Sequence, residues 1–112
     1  MNAPYLNRAL TLEAPVQVPD GAGGYTADWD VLGVVWGELK AGLGRERAAF
    51  AVTVSRVPYR ITIRAMPYGA PSRPVAGQRF RDGGRIFHIN AVAEKGHDGR
   101  FLTCHVEEEV AS

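Results

Sequence analysis

The stretch Pro58-Tyr59-Arg60-Ile61-Thr62-Ile63-Arg64 decides the fold class. Tyr59, Ile61 and Ile63 alternate with Arg60, Thr62 and Arg64, so an extended chain places the first three on one face and the second three on the other. A helix would scatter the same residues around its circumference. The segment therefore reads as a β-strand with an apolar face toward a core and a polar face outward.

The same alternation recurs on both sides, separated by glycine and proline. Upstream, Arg8 to Glu13 places Leu10 and Leu12 on one face before the chain runs into Pro15 and Pro19. Asp20-Gly21-Ala22-Gly23-Gly24 is a turn cluster and predicts a hairpin, with Tyr25 to Trp29 as its second arm and a further strand from Val34 to Lys40. Downstream, Met66 to Pro74 holds three prolines and a glycine and reads as a loop. Gln78 to Arg81 predicts a short strand that turns at Asp82-Gly83-Gly84 into Arg85 to Val92, with Phe87, Ile89 and Ala91 facing the core. A turn over Gly96 to Gly99 leads to a closing strand from Phe101 to Glu107, where Leu102, Cys104 and Val106 share a face. The pattern predicts an all-β domain, a small barrel or sandwich of about six to seven short antiparallel strands. Only Arg45 to Val52 departs from it. Its alanine and arginine content suits a short helix, yet it passes into the β-branched Val52-Thr53-Val54, so a short helix and a long loop or arm both stay open.

A chain of 112 residues with 46% apolar and 22% charged residues is sized and composed for one folded domain, so residues 1–112 are read as a single unit. The apolar runs are too short for a membrane-spanning helix, and Met1-Asn2-Ala3-Pro4-Tyr5 lacks the basic and apolar regions of a secretory signal, so no membrane is expected and the chain is expected to be made and kept in the cytosol unless packaged into something larger. The single cysteine excludes an intramolecular disulfide. The formal net charge is +1, but Glu13, Asp20, Asp28 and Asp30 make the first third acidic, Glu107, Glu108 and Glu109 make the end acidic, and ten Lys and Arg residues from Lys40 to Arg85 make the middle basic. Such a layout suits copies that meet acidic to basic, or a surface that faces a polyanion.

No catalytic set emerges. His88, His97, Cys104 and His105 lack the paired spacing of a zinc site, and Cys104 and His105 are adjacent in a strand and point to opposite faces. Gly21 to Gly24 leads into a strand, not into the helix N-terminus of a phosphate-binding loop. Ser55, Ser72 and Ser112 have no evident base partner, and Glu107 and Glu109 read as solvated charges. No metal or other cofactor is expected. Arg60 and Arg64 admit three readings: a solvated outer face, a contact to an acidic neighbouring subunit, or non-specific contact to DNA. In the last case the chain would be a small nucleic-acid-binding β-barrel.

Six segments, taken in order, resemble a known family. They are Leu10-Thr11-Leu12; Pro19 to Thr26 with Trp29; Val35-Trp36-Gly37-Glu38-Leu39; Gly44-Arg45-Glu46-Arg47; Tyr59 to Arg64; and Gly84 to Ile89. Their order and spacing are similar to those of the phage head-tail joining proteins, also called head closure, stopper or adaptor proteins. The resemblance implies a non-enzymatic small β-barrel that assembles as a ring in the neck of a phage-like particle. In that position it would meet a portal or adaptor protein on the head side and a tail terminator or tail tube protein on the tail side, and help retain packaged DNA. It also implies that residues 44–57 are the family's long loop, with Arg45, Glu46, Arg47, Phe50 and Arg56 reaching toward neighbouring subunits or the channel. Phages, prophages and gene transfer agents all carry such proteins.

Overall fold

A computed structural model describes residues 3–42 and 56–110. Six antiparallel strands form one sheet: β1 (Arg8–Pro19), β2 (Tyr25–Ala41), β3 (Arg56–Arg64), β4 (Arg79–Asp82), β5 (Arg85–Lys95) and β6 (Phe101–Glu109). The sheet closes into a barrel in the order β1-β2-β3-β6-β5-β4, with the seam made by Thr11 to Glu13 pairing with Arg79 to Arg81. The short-helix-or-loop segment, residues 45–52, lies outside the described residues.

Alternation fills the barrel. Leu10, Leu12, Val35, Ile61, Ile63, Phe80, Phe87, Ile89, Leu102, Cys104 and Val106 are all buried and form one cluster, with Leu39, Tyr59, Ala65, Met66 and Val92 packed against it. Tyr59 meets Phe87 edge to face, with ring centroids 5.8 Å apart, an arrangement that the aromatic quadrupole favours. Gly37 is a buried position of β2 without a side chain. A Cβ there would lie 3.0 Å from Ile61 Cγ2 and 3.1 Å from both Leu10 Cδ1 and the Thr62 carbonyl, so glycine is what lets β2 approach β3 closely.

Two irregularities redirect the chain. The β1–β2 register shifts between Leu12 and Glu13, where Leu12 faces Gly33 and Glu13 faces Val31, so Leu32 is the extra residue of a bulge. Beyond it the two strands continue as a ribbon to Pro19 and Tyr25, which makes β1 and β2 longer than their apolar runs alone indicate. Pro15 and Pro19 fit here because β1 pairs with β4 only through Thr11 to Glu13, which leaves its far edge without ladder partners among the described residues. At the tip, the Asp20 carboxylate accepts the amides of Ala22 at 2.8 Å and Gly24 at 3.0 Å, and these bonds hold its pKa below the ordinary carboxylate value.

The second irregularity corrects the reading of β5. A register shift between Ile89 and Ala91 leaves Asn90 unpaired, so Phe87 and Ile89 face the core as expected but Ala91 turns to solvent and Val92 takes the inner side. The two-residue turn between β4 and β5 has φ +61° at Gly83, the positive value that a type II′ hairpin needs at its first central position. Residues 65–78 cross one end of the barrel, anchored by Ala65 N–H to the Arg100 carbonyl at 2.9 Å and by Gly77 N–H to the Ile89 carbonyl at 3.0 Å, and Pro74 is fully buried beneath them.

Candidate functional site

The histidines and the cysteine are not brought together. Cys104 is buried in the core, and burial pushes its thiol pKa up to about 12, so it is a packing residue with almost no thiolate at neutral pH. His105 follows on the exposed outer face and pairs across the ladder with Arg60. His88 lies elsewhere, its Nε2 2.6 Å from Glu109 Oε1 and its ring edge-on to Trp29. Among the described residues no three His, Cys, Asp or Glu side chains are grouped to hold a metal ion.

Much of the acidic-basic-acidic charge layout is neutralised within one copy. Glu13, 4% exposed, receives Arg79 Nε at 2.7 Å and Arg81 Nε at 3.0 Å. Burial acts to raise its pKa, but the hydrogen bonds and charges of the two guanidiniums outweigh that and hold the carboxyl below its ordinary range. Glu108 accepts a bidentate pair from Arg85 at 2.7 and 2.9 Å, which lowers the carboxylate's pKa and raises that of the guanidinium. Arg8 bonds Asp82 at 2.8 Å. Trp29 lies under Arg79, 4.0 Å from ring centroid to Cζ, and so pins the ribbon to the barrel wall beside the Glu13 clamp. Sequence patterning missed this cluster because its members are 66 and 68 residues apart and meet only when the barrel closes.

Arg60 and Arg64 stand on the outer face of β3, as alternation predicts. Arg64 lies over the Phe101 ring at 5.7 Å. Thr62 corrects the simple picture: it is outward yet only 5% exposed, screened by longer neighbours on the same face. Arg56 is exposed at the start of β3 opposite Glu109, and its charge helps lower the Glu109 pKa after the larger effect of the His88 hydrogen bond. Arg45, Glu46, Arg47 and Phe50 lie outside the described residues.

The outer face of β2 carries a different signal. Val34 is 60% exposed and Trp36 55% exposed, opposite Thr11 and Ala9 of β1. Pairing of β2 with β3 begins only at Gly37, so from Tyr25 to Trp36 the other edge of β2 has no ladder partner among the described residues. The run Val34-Val35-Trp36 held this information, since a strand can bury only the middle one of three consecutive apolar residues on one face. A shallow apolar groove of about 630 Å³ lies near the bulge, between Ala14 and Leu32 on one side and Tyr68, Arg73 and Val75 on the other.

The described surface offers contact faces, and comparisons with known proteins bear on their use. A chain in the virion of a native gene transfer agent particle is 52% identical over 98% of this chain and 100% of its own length, with a TM-score of 0.80. The solution structure of protein SF1141 from Shigella flexneri 2a superposes over the full length of both chains with a TM-score of 0.70 at 18% identity, a likeness of fold. No curated protein matches the chain. The family described as phage head completion protein matches residues 1–109, nearly the whole sequence, and is a family of structural virion proteins and not of enzymes. The chain belongs to the phage head completion protein family.

Proposed function

We propose that identical copies of this chain form a ring between the portal and the tail of a phage-like particle, where the ring attaches the tail and helps retain packaged DNA. One observation supports this reading above the rest: Val34 and Trp36 are exposed on the outer face of a strand whose edge, over Tyr25 to Trp36, has no ladder partner among the described residues. An indole and an isopropyl group left in water beside an open edge favour a protein neighbour, through apolar burial and strand-edge contact together. The β1 edge of the ribbon carries Pro15 and Pro19 and is a poor edge for pairing, whereas the β2 edge has no proline. The ribbon is thereby directional, which suits a head-to-tail contact that closes into a ring.

Residues 44–57, with Arg45, Glu46, Arg47, Phe50 and Arg56, are assigned to the neighbouring subunit or the channel on the strength of the family resemblance. The head-side partner would be a portal or adaptor protein, and the tail-side partner a tail terminator or tail tube protein. Assembly would occur in the bacterial cytoplasm and the finished ring would reside in the neck. Deleting the gene tests this. Heads that lack tails or leak DNA are expected by electron microscopy, and normal intact particles would overturn the proposal.

A further inference from the structure

The outer face spanning β2, β3, β6 and β5 contains a small pocket of about 70 Å³ lined by Lys40, Arg60, Thr62, Lys95 and Thr103. Strand register explains the grouping. Lys40 is opposite Arg60, Thr62 is opposite Thr103, and Lys95 is two residues from Ala93, the β5 partner of Thr103. The two threonines form the centre and the three cations surround them.

Among the described residues every lining side chain offers a hydrogen-bond donor, and none is a carboxylate. Glu38, the ladder partner of Thr62, accepts Tyr5 N–H at 2.9 Å with one oxygen, and its other oxygen pairs loosely with Lys40 Nζ at 3.8 Å, which partly offsets the Lys40 charge. Arg60 Nε is buried without a hydrogen-bond partner among the described residues. Folded proteins rarely keep such a donor on a charged group unless an acceptor reaches it. The charges of Arg60 and Lys95, a Lys40 charge that Glu38 offsets only in part, two hydroxyls and one orphan N–H in a space of this size match a tetrahedral oxyanion, and the space is too small to take a base or sugar as well.

We propose that this pocket is a phosphate site, which would take either free inorganic phosphate or a backbone phosphate of DNA without regard to base sequence. The proposal stands independently of ring formation. It is tested by amide NMR on the full chain, titrated with inorganic phosphate at constant ionic strength against chloride. Saturable shifts at Thr62, Thr103 and Lys95 are expected. They should disappear in Arg60→Gln and weaken about tenfold in Lys95→Gln, whose exposed position keeps the fold intact. Absence of saturable shifts, or shifts unchanged in both variants, would overturn the proposal. A short DNA duplex added to the phosphate-loaded protein identifies the source. Displacement assigns the site to the DNA backbone, and persistence of the phosphate-bound signals assigns it to the free ion.

Discussion

Glu13 on β1 holds both Arg79 and Arg81 of β4, at 2.7 and 3.0 Å, across the seam where the barrel closes. That seam is only three ladder pairs long, so side-chain bonds carry a large share of its cohesion. Glu13→Gln keeps the shape and removes the charge, leaving two guanidiniums without their anion. Removing one partner of a fully buried ion pair costs roughly 3–5 kcal/mol. Arg79 is well covered here but Arg81 is about half exposed, which brings the expected cost to about 2 kcal/mol. Thermal unfolding followed by circular dichroism at neutral pH should show the melting point fall by roughly 10 °C.

The same carboxylate predicts the direction of acid unfolding. Glu13, Glu108 and Glu109 each have a folded-state pKa below the ordinary value of 4.5. Their ion pairs therefore contribute stability that is fully present above the unfolded-state pKa and is lost as pH falls through the lower folded-state values. Stability should be flat from pH 7 to about pH 5 and decline below that. The gap between wild type and Glu13→Gln should narrow over the same acid range, which urea unfolding at stepped pH would measure. A gap that stays constant to pH 2.5 would count against the clamp.

Gly37→Ala tests close packing at the β2–β3 boundary. The added methyl would meet Ile61, Leu10 and the Thr62 carbonyl at 3.0–3.1 Å, and a backbone oxygen cannot rotate away. Overpacking of this kind costs about 1–3 kcal/mol. Urea unfolding should show a lower midpoint with an unchanged slope.

These two sites mark what the sequence made legible and what it hid. Tyr59 to Arg64 revealed its strand and its faces because alternation is a local property. Gly37 sits in a strand whose existence was predictable, but its closeness to Ile61 depends on a register that no local pattern specifies. Alternation places Ala91 in the core, but it holds only until Asn90, where one unpaired residue reverses the later side chains. The Glu13 clamp and the pocket around Arg60 share that cause: the clamp joins two strands across the closing seam and the pocket draws on four neighbouring strands, and only pairing between segments distant in sequence brings them together. Trp29 and Trp36 were both visible as large apolar residues. That Trp29 would cover Arg79 while Trp36 would stand in solvent followed from the bulge between them.

Cys104 should be chemically silent in the folded protein. A fully buried thiol with its pKa raised to about 12 presents almost no thiolate to a disulfide reagent at pH 8. Reaction with a chromogenic disulfide should be undetectable over minutes in the native state and reach one equivalent in denaturant, as the sequence holds a single cysteine. Cys104→Ser should destabilise by about 1–3 kcal/mol, since it places a hydroxyl among Ile61, Leu102 and the rest of the core. Cys104→Ala, which leaves only a small cavity, should retain assembly in full.

Trp36→Asp separates folding from assembly. The side chain is 55% exposed and its neighbour Val34 60% exposed, so the substitution removes little buried area from a single copy, and the change in monomer stability should stay within about 0.5 kcal/mol. If this face meets a second copy, however, a carboxylate placed there must be desolvated in the interface or hold the neighbour off. A buried charge without a partner costs several kcal/mol, enough to dissolve a contact of ordinary strength. Native mass spectrometry of wild type and variant at equal concentration measures this directly. Loss of the higher oligomer with an unchanged melting point is expected; oligomers retained in Trp36→Asp and in Val34→Asp would show that copies meet through another face, and the ring contact would then have to be sought on the Tyr25 end of the β2 edge.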